Sequence, residues 1–152
     1  MDGGTARRRP RITDRAATED TEDTDVAMKD GLHAEVTERI IGCAIEVHRQ
    51  LGAGPLESVY ESAMSVELVL SGLSIERQRH VPIYYKGCLI AAHRPDLIVE
   101  RAVVVEVKAL QRFDAVHTAQ LLTYLRITGL RVGLLLNFNS VTLRDGIRRV
   151  VL

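Results

Sequence analysis

The chain has 152 residues, 46% hydrophobic and 26% charged, which is one ordinary globular domain with room for a real core. Twenty Lys/Arg balance twenty Asp/Glu, so no polybasic field nominates a nucleic-acid binder, and any such binding must come from local placement of charge. No apolar run nears the ~20 residues that span a bilayer and no secretory leader opens the chain; Cys43 and Cys88 lack CxxC spacing, which predicts buried free thiols in a reducing cytoplasm.

Residues 1–30 hold six Lys/Arg against eight Asp/Glu and almost no large apolar side chain. They are predicted to be a disordered tail ahead of a domain at 31–152. The Arg7-Arg8-Arg9-Pro10-Arg11 cluster there reads as a solvated leader or as a phosphate contact. From about His33 the texture changes. Val36, Ile40, Ile41, Ala44, Val47, His48 and Leu51 recur at helical spacing, and Gly52 suits the stop. After the Gly-Ala-Gly-Pro turn a second helix is predicted from Pro55 to about Leu70, with Gly72 beyond it.

Strands follow. Val81, Ile83 and Tyr85 alternate, and Lys86-Gly87 turns the chain into a second strand that starts at Cys88 and runs to about Val99, bent at Pro95. A third strand spans Ala102–Ala109. Asp114 is a good N-cap for a helix that ends at Gly129, Arg131–Phe138 is an apolar strand, and Ile147–Val151 is a short last one. The order α-α-β-β-β-α-β-β predicts an α/β chain, a mixed α+β sheet flanked by helices.

Charge stands out in the third strand. Val103-Val104-Val105-Glu106-Val107-Lys108 is interior-strand sequence, where ionised groups are costly unless paired, metal-bound or solvated in a cleft. Glu106 and Lys108, two apart, share one face. A hard divalent cation takes oxygen ligands, and Mg²⁺ uses one or two carboxylates and keeps several waters. Asp96 and Glu106 can supply the carboxylates, the Val107 carbonyl a third ligand, and Lys108 a charge or proton handler for a metal-activated water. The bland alternative is a solvent-facing charge pair, which the flanking valines weaken. Strand parity adds a condition: Asp96 and Glu106 face the same way only if the connection near Arg101 is odd or bulged.

Other candidates are weaker on local grounds. Glu57 lies in a first helical turn, where the helix dipole favours an acid whatever its function, so helix-start stabilisation leads there. Gln120 and Tyr124 are an i,i+4 pair that shares a face with His117; read blandly, Tyr124 is a core aromatic. No Gly-rich phosphate loop and no nucleophile elbow is present.

Pro95-Asp96, then Glu106-Val107-Lys108, is similar to the signature of the PD-(D/E)XK nuclease superfamily, and Gln120-x-x-x-Tyr124 resembles the QxxxY helix motif of its RecB-like branch. Residues from about 34 to 152 resemble, more narrowly, the small bacterial family named GxxExxR, through phrases such as VPIYYKG, RPDLIVE, VVVEVKAL and GIRRVV. One departure is Tyr60, where the family label has Arg. The resemblance implies a restriction-endonuclease-like αβββαβ core with an extra N-terminal helix and C-terminal strand. It also turns Glu57 into a site candidate, supporting a metal or water.

The expected function is a Mg²⁺- or Mn²⁺-dependent nuclease cutting DNA, with RNA second. Metal ligands are Asp96, Glu106, Val107 and Glu57; Lys108 handles nucleophile or charge, and Gln120 and Tyr124 position the phosphate. Arg94, His117, Arg126, Arg148 and Arg149 are candidate backbone contacts. The alternative is a binding or regulatory module with a nuclease fold, acting through a protein partner or as a homodimer. No membrane contact is expected.

Overall fold

A computed structural model describes residues 31–152; the expected tail at 1–30 lies outside the described residues. Helix α1 (Ala34–Leu51) follows the helical spacing of its sequence, burying Ile40, Cys43, Ala44 and Val47, and ends at Gly52. Helix α2 spans Glu57–Leu70 with Leu56, extended, as its N-cap. It therefore starts two residues later than Pro55, which stays in the connecting turn.

The strand plan needs a larger correction. Strands β1 (Ile75–Arg77), β2 (Val81–Tyr85), β3 (Cys88–His93), β4 (Leu97–Val99) and β5 (Val103–Lys108) precede helix α3 (Ala115–Thr128), and β6 (Val132–Asn137) and β7 (Ile147–Val151) follow it. The main sheet has the order β1-β4-β5-β6-β7, while β2 and β3 pair only with each other. The expected long strand from Cys88 to Val99 is thus two strands in two sheets, broken at Arg94–Asp96. Pro95 has no N–H to give a ladder, which suits it to that break. The αβββαβ core is α2-β1-β4-β5-α3-β6, with the β2–β3 hairpin inserted between its first two strands.

Within the main sheet only β5 and β6 run parallel, and α3 crosses between them. Strands β4, β5 and β6 are buried on both faces, as a central sheet with helices on either side requires. Val103, Val105 and Val107 face the cluster built with α1 and α2. Val104 faces the other way, with Ile98 and Leu135, against Leu121, Tyr124 and Leu125 of α3. Alternation puts Glu106 and Lys108 on that second face, under α3.

Asp114 and His117 form a capping box that starts α3, and Gly129, left-handed at φ 73°, ends it. Cys43 is buried as expected, but Cys88 is exposed, because its strand belongs to the projecting hairpin; both thiols are free.

Candidate active site

The β4–β5 connection decides whether the two acids meet. Val99 pairs with Val103, so Glu100, Arg101 and Ala102 lie between them. Glu100 and Arg101 both have positive φ (54° and 51°), and the Ala102 N–H donates to the Val99 carbonyl at 3.0 Å, leaving Ala102 as the extra residue. This odd connection carries the register on to set Asp96 opposite Glu106. The Gln78 N–H donates to the Asp96 carbonyl at 3.0 Å, so the row continues onto the β1 side. On the other side, Glu106 pairs with Leu135 and Leu135 with Arg148.

Backbone and side chains knit the acids together. The Asp96 N–H donates to Glu106 Oε1 at 2.9 Å, and the Val107 N–H donates to Asp96 Oδ2 at 2.8 Å. Gln78 Nε2 bridges Asp96 Oδ1 (3.1 Å) and Glu61 Oε1 (2.8 Å), and Arg77 Nε donates to Glu61 at 3.0 Å. Lys108 Nζ lies 3.8 Å from Glu106 Oε2, a longer contact than a tight ion pair.

Electrostatically the pair is under load. Glu106 is 3% exposed, and burial followed by the Asp96 charge pushes its carboxyl up to about 8. Burial also raises Asp96, outweighing the Val107 hydrogen bond, and the charge of Glu61 adds to it. Over the pair, Gln120 Nε2 donates to Tyr124 Oη at 3.2 Å. Tyr124 is held above the usual phenol range by burial first and then by the Glu106 charge.

This donor set fits a hard divalent cation. Each carboxylate keeps lone pairs beyond those used within the protein. The Val107 N–H points toward Asp96, and in a strand the carbonyl of the same residue points to the same edge. Among the described residues no group of three or more His, Cys, Asp or Glu is placed to hold a metal. A two-carboxylate site of this kind leaves the remaining coordination to backbone oxygen and water, which is how Mg²⁺ is usually held.

The other candidates divide. Glu57 is exposed in the first turn of α2; its charge reaches both Asp96 and Glu106, but it makes no hydrogen bond to either. Arg94 and Arg126 are exposed. Arg148 shares the Glu106 row, with its guanidinium 5.1 Å from the Phe113 ring centroid and bonded to Thr118. His117 Nδ1 accepts the Asp114 N–H at 2.9 Å, which ties that ring nitrogen to the start of α3. One candidate is corrected. Arg149 points to the opposite face of β7 and donates to the Leu32 carbonyl at 2.7 Å, away from the acids.

Sequence reasoning missed Glu61 and Gln78. Glu61 had a signal, since it lies one turn after Glu57 on the face that buries Tyr60, Met64 and Leu68. Gln78 had none, because its position follows from β1, a three-residue strand with one large apolar side chain. Tyr60 is fully buried, stacks on Phe138 with ring centroids 4.6 Å apart and donates to the Gly52 carbonyl.

A family model described as the PD-(D/E)XK nuclease superfamily matches residues 34–150. No curated protein and no solved structure matches the chain.

Proposed function

The chain belongs to the PD-(D/E)XK nuclease superfamily, and we propose that it is a divalent-metal-dependent phosphodiester hydrolase acting on DNA, with RNA the second choice. The observation that carries this is the meeting of Asp96, Glu106 and Lys108 at one end of a buried sheet, under the Gln120–Tyr124 pair.

A bound Mg²⁺ or Mn²⁺ would supply Lewis-acid polarisation of the phosphate and acidify a water. Asp96, Glu106 and the Val107 carbonyl would hold it, and Gln78 with Glu61 keeps the Asp96 carboxylate from turning. Lys108, 15% exposed, places an ammonium beside Glu106 where it can donate a hydrogen bond that orients an attacking water or offset charge on the phosphate. Tyr124 accepts from Gln120, so its own proton is free to meet a phosphate oxygen, and its raised pKa keeps that proton in place. Glu57 adds negative charge at the rim. Arg94, Arg126 and Arg148 are left as backbone contacts.

Within the superfamily, the narrower likeness to the GxxExxR family rests on phrases spread along the chain, among them VPIYYKG, RPDLIVE, VVVEVKAL and GIRRVV, and on Gly54 and Glu57 of the label itself. In this chain the segment reads GxxExxY, and Tyr60 locks the start of α2 to the end of β6. The free thiols Cys43 and Cys88 suit a reducing compartment, so we place the protein in the cytoplasm.

Purified protein incubated with single- and double-stranded DNA and RNA, with Mg²⁺, Mn²⁺ or chelator, tests the reading. Metal-dependent cleavage should fall about a hundredfold or more in Glu106→Ala and in Lys108→Ala. Cleavage that survives both substitutions, or calorimetry with no metal uptake by the wild type, overturns it.

A further inference from the structure

The β2–β3 hairpin stands outside both cores and takes no part in the chemistry above. An isolated two-stranded pair is marginal in water unless something packs on it. One side is packed: Val81 is buried, and the His93 ring meets Tyr124 edge-on with centroids 5.7 Å apart. The other side is bare. Tyr84 pairs with Leu89 and Pro82 with Ala92, so these four share a face, and Tyr84 and Leu89 are 63% and 62% exposed. Ile90, skipped by the register shift, is equally open, as is Tyr85 at the tip, where Lys86 Nζ lies 5.5 Å from its ring centroid.

Charge and placement say what covers this face. From Arg77 to Pro95 the sequence contains no carboxylate, and Lys86 and Arg94 make no ion pair among the described residues. Of the four tyrosines, Tyr60 and Tyr124 are buried, so the exposed ones sit together at the end of this hairpin. Both legs spring from the acidic pair. Gln78, just before β2, bonds Asp96 through its side chain and its N–H, and β3 leads through Arg94-Pro95 into Asp96 itself. Five strand residues set the tip about 17 Å from that base.

We infer that the β2–β3 hairpin is a substrate-gripping arm, on which unpaired bases of a nucleic-acid strand stack against Tyr84 and Leu89 while Lys86 and Arg94 meet its phosphates. The choice of occupant rests on the nuclease reading. Stacking on exposed aromatics accepts any base, so the arm supplies affinity and direction without sequence preference. A second copy of the chain, which would add a strand to the open ribbon edge, lacks the charge argument.

The test is fluorescence anisotropy with short labelled single-stranded DNA, its RNA counterpart and the duplex, in a Glu106→Gln background that keeps the strand uncut. Tyr84→Ala with Leu89→Ser should weaken single-strand binding about tenfold or more, Lys86→Ala should weaken it less, and all should melt as the parent does. Val66→Ser, similarly exposed on α2, is the control. Unchanged affinity in the arm variants, with binding or cleavage intact, overturns the arm and leaves the nuclease reading standing. Arm variants that abolish self-association but not strand affinity assign the face to a second copy instead. Failure of the parent to bind any nucleic acid overturns both.

Discussion

Glu106 sets the electrostatics of the site at the scale of a single residue. Its carboxyl titrates near 8 in the folded chain against an ordinary value of 4.5. Between those values the folded protein holds a proton that the unfolded chain has released, so stability contributed by this group is full below about 4.5 and lost as pH rises through about 8. Asp96, raised in the same direction by burial, adds to the slope. In chelator, the melting temperature should therefore fall as pH climbs across that window. Glu106→Gln, which cannot ionise, should flatten the fall and melt higher than the wild type above pH 8. Mn²⁺ should do the same for the wild type by giving both carboxylates a cation. Thermal melts across pH, with and without metal, read all three; a wild-type profile that Glu106→Gln leaves unaltered would remove the buried-acid argument.

Elements show what the sequence could and could not disclose. Helix α1 was legible to its Gly52 stop and α3 to both caps, because apolar spacing, Asp114 and two glycines all agree there. The parity of β4 and β5 was legible as a condition, and Glu100, Arg101 and Ala102 meet it. The hairpin itself was legible, but its separation from the main sheet was not, for a physical reason. Val81-Pro82-Ile83-Tyr84-Tyr85 alternates more strongly than Ile75-Glu76-Arg77, yet the weaker segment takes the sheet edge. Local pattern reports strand character, whereas the choice of partner is made by tertiary contact. Glycine 133 was equally silent. A Cβ there would lie 2.7 Å from Leu121 Cδ1 and 2.9 Å from its Cγ, so α3 rides directly on β6 at this point. Gly133→Ala should cost about 1–3 kcal/mol in a denaturant titration by forcing Leu121 aside. It should also lower activity beyond its effect on folding, because Leu121 adjoins Gln120. A variant as stable and active as the parent would mean that α3 is not held this closely.

At the scale of the whole molecule, zero net charge limits how nucleic acid can be drawn in. A basic binder is steered from a distance and loses affinity steeply with salt; this chain has to rely on a few local cations and on apolar contact. Arg149 is tied to the Leu32 carbonyl and Arg77 to Glu61, which leaves Lys86, Arg94, Arg126 and Arg148 among the cations open to phosphate in the described residues. Roughly three or four contacts correspond to a slope of about −2 to −3 in log affinity against log salt for a single strand. Stacking on the arm carries little salt dependence, so affinity left at high salt should report Tyr84 and Leu89 and disappear in their double variant. The comparison that isolates the domain is 31–152 against the full chain, since Arg7, Arg8, Arg9 and Arg11 form the densest basic run and belong to residues 1–30. If deleting 1–30 leaves the slope unchanged, the domain's own few cations account for the phosphate contacts. If the slope of the full chain is twice as steep and collapses on deletion, the amino-terminal arginines carry the electrostatic part of binding, and the arm retains only the share that salt does not touch.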